Sequence, residues 1–265
     1  MSKDITYSRE IHSVSDKIAR WVENTKYSDM PQDVVKSAKR CILDFIGVVL
    51  AGSRQPLAQI IQKYLNEMNG PKESTVLGLG IKASRVEAAF ANGLIGHCLD
   101  FDDLLLMEGS KDPHLTTVIL PAALAIAERE GKTGKELMEA YILGCEVSAG
   151  ISRGVDPTHY NLGWHSTGTE GIFGAVAAVS KLLGLNGGQI AYALGIAASE
   201  ASGLRENFGT ATKPFHAGQA AAKGVKAALL AKLGFTSSKT AFEGKYGFCN
   251  VLSKNSRIDE ITSNL

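Results

Sequence analysis

Residues 85–97 read RVEAAFANGLIGH, and small residues recur in this stretch at spacings of three and four, among them Ala88, Ala89, Gly93 and Gly96. Small side chains at helical spacing let a neighbouring helix approach closely, so we predict a helix here at the centre of a bundle. Five further stretches have the same character: residues 120–127, 140–151, 171–183, 190–201 and 217–233. Together they predict an all-α fold, a compact multi-helix bundle.

The N-terminal part of the chain adds three amphipathic helices. Apolar residues recur there with the helical period over residues 8–23, 34–51 and 57–69. The last two helices stop at segments with glycine and proline, which end helices. Residues 74–78, STVLG, are too short to predict more than an extended link. With no internal repeat and no clear linker, the chain is predicted to form one helical domain over residues 1–265.

The net charge and the cysteines limit the possible classes of protein. A formal net charge of +1 argues against a nucleic-acid or membrane partner, which would normally require a basic patch. The four cysteines lie far apart and form no CxxC pair, as expected for the reduced thiols of a cytosolic protein. The N-terminus lacks the apolar segment of a secretory signal, and no apolar run reaches the ~18 residues of a membrane span. We therefore expect a cytoplasmic protein.

The central helix is followed by an acidic segment. Residues 97–103 read HCLDFDD, and Pro113–His114 come shortly after it. Aspartate is a poor helix former and is rarely buried without a partner, so we expect these side chains to face a cleft. On a helix, His97, Asp100 and Asp103 would share one face. Histidine titrates near pH 7 and carboxylates can orient it, which suits proton transfer. Alternatively, these aspartates could cap a new helix or place negative charges in its first turn.

Two later segments read as helix entries. Residues 164–167, WHST, follow a predicted loop at Asp156–Pro157, and Ser166 or Thr167 could cap the next helix and offer free N–H groups to a carboxylate. The alternative is an ordinary capped helix with an exposed histidine. Within the preceding loop, His159 is predicted to lie at the surface.

Residues 212–218, TKPFHAG, form the second entry, with Lys213 next to the helix N-terminus. The ammonium group would add its charge to the helix dipole there and could bind a carboxylate. The alternative is an ordinary solvated lysine. His216 could pack or support the site.

Four ordered segments resemble the signature of the MmgE/PrpD family, and the similarity extends over nearly the whole chain. They are LDFIG at 43–47, HCLDFDD at 97–103 with His114, GWHST at 163–167 and TKPFHAG at 212–218. The resemblance implies the family's N-terminal helical domain and a homodimer. Family activities include dehydration of 2-methylcitrate, decarboxylation of cis-aconitate and epimerisation of iminodisuccinate. The resemblance implies His114, Asp100 and His165 for catalysis and Lys213 for substrate binding. We add His97 and Asp103 to the substrate-binding residues, because the helical spacing places them in a row with Asp100.

The expected chemistry is a lyase-type reaction, dehydration or decarboxylation, on a small citrate-like polycarboxylate, with His114 moving the proton. The sequence has no HExxH, CxxC or EF-hand spacing, no cysteine trio for an iron–sulfur cluster, and no GxGxxG or Walker A motif. We therefore expect no metal and no other cofactor. Epimerisation of a dicarboxylate stays open, because it needs the same proton abstraction.

Two departures from the family pattern stand out. Family members continue into a smaller α+β lid domain that supplies a further lysine in a Lys-Pro-Tyr-Pro-like motif, which these 265 residues lack. An alternative is therefore an inactive helical subunit that needs a separate lid-domain chain, and an exposed apolar patch would favour it. Residues 104–107, LLLM, replace the Thr-His or Thr-Trp-His of relatives that act on citrate-like acids. This change predicts a less polar pocket wall.

Overall fold

The computed structural model describes residues 13–106 and 113–265, except for the side chain of Asp156, and it consists almost entirely of helices. Within these residues the α-helices are α1 (Val14–Asn24), α2 (Gln32–Gly52), α3 (Pro56–Met68), α4 (Arg85–His97), α5 (Thr116–Arg129), α6 (Gly134–Asn161), α7 (Ser166–Thr169), α8 (Gly171–Leu182), α9 (Gly187–Glu200), α10 (Thr212–Lys232) and α11 (Phe248–Leu252). Short 3-10 turns cover Tyr27–Asp29, Arg205–Asn207 and Ile258–Thr262. The predicted all-α fold is confirmed.

Helix α4 lies at the centre of the bundle, between α5 and α10. A Cβ atom on Gly93 of α4 would come 2.9 Å from the carbonyl oxygen of Thr117 and 3.1 Å from the Cα of Gly218 on α10. A Cβ atom on Gly218 would in turn come 2.5 Å from the carbonyl oxygen of Phe90. The distances of 2.5 and 2.9 Å are too short for a methyl group, so these glycines permit the contact between the two helices. The close approach predicted from the small residues is confirmed.

The ends of several helices are set by local polar groups. Ser84 caps α4 by accepting from the backbone of Glu87, and Thr133 and Glu136 form a reciprocal capping box at the start of α6. The predicted helices at 34–51 and 57–69 match α2 and α3 to within two residues. Of the helix predicted over 8–23, residues 8–12 lie outside the described residues, and α1 begins at Val14.

The loop predicted at Asp156–Pro157 is wrong, because α6 continues through Pro157 to Asn161. Proline inside a helix costs about 3 kcal/mol, and that cost has to be offset by packing. Helix α6 packs along α8, and its far end is covered by the chain that follows α10. There Ile261 is fully buried over Gly150 and Gly154 of α6. The burial of this long helix therefore outweighs the local preference of the proline.

A small hairpin was not predicted. Strand β1 (Ser74–Val76) pairs antiparallel with β2 (Ile81–Ala83), so Ser74 faces Ala83. The side chain of Asn92 on α4 joins the hairpin to the bundle by accepting from Leu77 N–H and donating to the Thr75 carbonyl oxygen. Among the described residues, no helix combines the length and hydropathy that crossing a lipid bilayer requires.

Candidate active site

The acidic segment begins where α4 ends. The helix stops at His97, and Asp100 takes a left-handed backbone conformation with a φ of 57°. Aspartate tolerates this conformation better than most residues and is a poor helix former, so the chain reverses here. The predicted helical row of His97, Asp100 and Asp103 is therefore wrong. His97 pairs instead with Asp102, whose two carboxylate oxygens each lie 3.0 Å from the Nδ1 atom of His97.

Asp102 is the buried centre of the site and was absent from the predicted residues. Its Oδ2 atom also lies 3.1 Å from Nδ1 of His114, so one carboxylate serves two imidazoles. Burial would raise the pKa of Asp102, but the hydrogen bonds from His114 and His97 outweigh it and hold this pKa well below its usual range. The ionised carboxylate fixes the proton of each ring on Nδ1. No periodicity in DFDD distinguishes Asp102 from its neighbours, which is why it was missed.

His114 links Asp102 to a second pair of charges. Its Nε2 atom lies 3.5 Å from Oδ1 of Asp100, and the same oxygen lies 2.5 Å from Nζ of Lys213 in the first turn of α10. The backbone N–H of His114 donates to the Thr167 hydroxyl at 3.0 Å. Burial lowers the pKa of His114, but the hydrogen bond and charge of Asp102 and the charge of Asp100 raise it above its ordinary value. His114 is thereby disposed to carry a proton near neutral pH.

His165 lies beside this cluster and faces His97. The two rings are 6.0 Å apart between centroids and nearly parallel, and Nδ1 of His165 lies 3.0 Å from Nδ1 of His216. The ring of Phe208 connects His165, at 4.9 Å between centroids, with the ammonium of Lys213, at 5.3 Å from the Phe208 centroid. Burial and the neighbouring cationic groups lower the pKa of His165 to about 2. Its imidazole is therefore neutral at physiological pH.

Asp103 faces away from the other five predicted residues. Its carboxylate accepts a hydrogen bond of 2.6 Å from the Thr116 hydroxyl, which also lies 2.5 Å from the Tyr141 hydroxyl. Burial raises the pKa of Asp103. The residue anchors the acidic segment to α5 and α6. Its predicted role in substrate binding finds no support in this position.

His159 was predicted to lie at the surface, and this is wrong, because its side chain is fully buried. Because α6 continues past Pro157, this side chain points under the Trp164 ring, with Nδ1 3.0 Å from the Leu252 carbonyl oxygen. Its Nε2 atom lies 2.7 Å from the hydroxyl of Thr169, which donates to the carbonyl oxygen of His165 at 3.2 Å. His159 therefore supports the backbone that carries His165.

The expected side-chain cap before α7 is also absent. His165 occupies the N-cap position of this four-residue helix and makes no capping hydrogen bond through its side chain. Thr167 contacts the backbone of His114 instead. The hydroxyl that was expected to cap the helix therefore joins α7 to the segment that carries His114.

Four of these side chains could hold a metal ion. One ligand atom each from His97, Asp100, Asp102 and His114 lie within 4.8 Å of one another. None of the metal-binding spacings sought in the sequence describes this set, because the chain reverses between the residues. Nearby, Phe101, Leu104 and Leu106 are exposed and give the segment an apolar rim. Met107, the last of the four predicted wall residues, lies outside the described residues.

Comparison with known proteins agrees with the four sequence motifs. A profile of the MmgE/PrpD N-terminal domain matches residues 16–261. Cis-aconitate decarboxylase of Homo sapiens is 32% identical over 244 residues, which are 90% of this chain and 50% of that protein. The Aspergillus terreus enzyme of the same name is 32% identical over 255 residues, with 93% and 51% covered. The chain thus spans about half the length of the curated relatives it matches. The profile match over most of its length shows that the chain belongs to the MmgE/PrpD family.

Proposed function

We propose that this chain performs the proton transfer in the decarboxylation of a small citrate-like polycarboxylate, without a metal or an organic cofactor. The observation that carries the proposal is the placement of His114 between the ionised Asp102 and the Asp100–Lys213 pair. The names of the similar human and fungal proteins, cis-aconitate decarboxylases, favour this reaction among the family's activities.

Lys213 is the group that would bind a substrate carboxylate. Its ammonium pairs with Asp100, whose side chain is 55% exposed, so an incoming carboxylate can compete for it. Charge-assisted hydrogen bonds to a carboxylate are about twice as strong as neutral ones, and the first turn of α10 adds a favourable dipole. Substrate binding would therefore replace one partner of Lys213 with another of the same charge.

His114 would then supply the proton. Loss of CO2 breaks a C–C bond and leaves the electron pair on the substrate, where the remaining double bond and carboxylate delocalise it. A proton must be delivered to carbon, and the raised pKa of His114 favours the imidazolium that can deliver it from Nε2. Asp102 would hold the Nδ1 proton throughout and stabilise the charged ring.

The same protonation states disfavour dehydration. Removing a proton next to a carboxylate requires a base that is unprotonated and basic enough near pH 7. His114 is biased towards its protonated form, and the pKa of His165, lowered to about 2, makes that ring a very weak base. His114 therefore fits proton donation better than proton abstraction, and the neutral ring of His165 fits hydrogen bonding. Epimerisation is disfavoured for the same reason.

A second candidate function is a helical subunit that becomes active only with a further domain or chain. An exposed apolar patch was expected for such a subunit, and α2 carries one. Leu43, Ile46 and Leu50 recur on one face of the helix and are exposed by 71%, 39% and 48%. Patches of this kind mark interaction surfaces.

The deciding experiment is an NMR assay in deuterated water. The purified chain is incubated with cis-aconitate, 2-methylcitrate and related diacids, and product formation and deuterium incorporation at carbon are followed. We expect decarboxylation of one of these acids by the wild type, and its loss in His114→Ala and Lys213→Ala. Lys226→Ala, which removes an exposed lysine from the same helix, is the matched control. A folded chain that acts on none of the acids would contradict the proposal and favour the second candidate.

A further inference from the structure

Asp102 and the three donor side chains around it suggest a second use of the same site. We propose that His97, Asp100, Asp102 and His114 form a reversible site for a divalent transition-metal ion such as Zn2+, and that the bound ion inhibits the proton transfer. The binding is independent of the proposed function, whereas the inhibition rests on it.

The donor atoms already converge. Oδ2 of Asp102 lies 3.0 Å from Nδ1 of His97 and 3.1 Å from Nδ1 of His114. In a tetrahedral zinc site with bonds of about 2.0–2.2 Å, ligand atoms lie roughly 3.4 Å apart. The Asp102 oxygen and the two imidazole nitrogens would move apart by a few tenths of an ångström, and the whole set, whose atoms now lie within 4.8 Å of one another, would contract around the ion. The cation would take the place of the protons that now hold the carboxylate between the two rings.

The donor types select the class of ion. Two imidazole nitrogens with two carboxylate oxygens suit zinc and its first-row neighbours, whereas magnesium and calcium prefer oxygen ligands alone. The side chains of His97 and Asp102 are fully buried, so they are held in place before the ion arrives. Asp100 is half exposed and offers the route of entry.

Two features make the binding reversible rather than structural. To coordinate through Nδ1, His97 must carry its ring proton on Nε2, and that atom is buried with no hydrogen-bond partner among the described residues. Metal-bound histidines normally donate their second N–H group, and loss of such a partner weakens metal binding by about 10- to 100-fold. Lys213 must also release Asp100 before that carboxylate can bind the ion. The site therefore favours a modest affinity.

Binding can be measured without any turnover, by titrating the full chain with Co2+ and following the visible absorption of the tetrahedral ion, then displacing it with Zn2+. We expect one equivalent to bind to the wild type, about 10-fold or weaker binding to Asp100→Asn, and no tetrahedral absorption with His114→Gln. Asp100 is partly exposed, so its replacement leaves the core intact. His216→Gln is the matched control, because its ring contacts His165 and lies outside the set, and its affinity should equal that of the wild type.

Two binding results would overturn the proposal. One is no tetrahedral Co2+ absorption from the folded wild type, and the other is an affinity for Co2+ in the Asp100 and His114 variants that equals that of the wild type. The inhibition is tested separately: Zn2+ should abolish the turnover of the wild type, and a chelator should restore it. Activation by Zn2+ would overturn the inhibitory role. Absence of turnover from a folded chain would remove both the proposed function and the inhibition, while the Co2+ titration would still decide whether the site exists.

Discussion

The two sides of the acidic segment differ although they are built from adjacent aspartates. Asp102 faces two imidazoles, and their hydrogen bonds hold its pKa low despite burial. Asp103 faces the hydroxyl of Thr116, with Tyr141 behind it, and burial raises its pKa. Burial acts on both carboxyl groups in the same sense, so the difference between their partners decides the direction of each pKa shift. The proposed proton transfer would therefore use the Asp102 side, whereas Asp103 anchors the segment.

Replacing Asp102 by asparagine should cause the largest loss of turnover, because it removes the carboxylate that distinguishes the two sides. The amide keeps the shape but has one acceptor oxygen in place of two and cannot stabilise an imidazolium at His114. In serine proteases the same change beside a catalytic histidine lowers kcat by about 10⁴-fold, and we expect a loss of about 10³- to 10⁴-fold here. The measurement is turnover by NMR, with Asp103→Asn as the control. A loss of similar size in the control would refute the division between the two sides.

Asp100→Asn should move the pH dependence of turnover. The proposed reaction requires protonated His114, so turnover should fall as the pH rises through the raised pKa of this residue. Without the Asp100 charge that pKa decreases, and the alkaline limb of kcat/KM should move to lower pH. An alkaline limb at the wild-type pH would show that Asp100 does not act on His114.

Thr116→Val tests the anchoring side. The valine leaves the Asp103 carboxyl and the Tyr141 hydroxyl without their shared partner, which should lower the free energy of unfolding by about 1–3 kcal/mol. Turnover per folded molecule should stay within a few-fold of the wild type. Urea unfolding and the NMR assay measure the two quantities, and a catalytic loss without a stability loss would reverse the assignment.

The smallest expected effect is a difference of sign between the two aspartates in the pH dependence of stability. The depressed pKa of Asp102 contributes stability above the unfolded value of about 3.9, and this is lost as the pH falls through the folded value. The raised pKa of Asp103 acts in the opposite sense, and its contribution is lost as the pH rises through the folded value. As the pH rises towards about 4, Asp102→Asn should therefore become more destabilising relative to the wild type, whereas Asp103→Asn should become less destabilising as the pH rises above about 4. Parallel trends in urea unfolding would contradict the assigned charges.

The sequence predicted the helical architecture because small-residue spacing is a local pattern with a direct packing consequence, as in α4 and α10. It failed at Pro157, where burial of α6 outweighs the local preference of proline. The single domain over residues 1–265, the homodimer and the cytoplasmic location stay predictions.

The site was predicted in part. His114, Asp100, Lys213 and His97 come together, and His165 lies beside them. Asp102 could not be distinguished from its neighbours, because its position depends on the backbone reversal at Asp100, which no periodic pattern encodes. His159 was misplaced because the end of α6 was misplaced.

The contact between Gly93 and Gly218 has a consequence for the size of molecule that the site can accept. Gly93 lies about 6 Å along α4 from His97, and Gly218 lies about 7.5 Å along α10 from Lys213, at 1.5 Å per residue. The contact between the two glycines therefore sets the distance between the end of α4, which carries His97, and the first turn of α10, which carries Lys213. An added methyl group at this contact would push α4 and α10 apart and change the distance between the imidazoles and the ammonium group, so packing in the core would limit the length of substrate that the proposed site accepts.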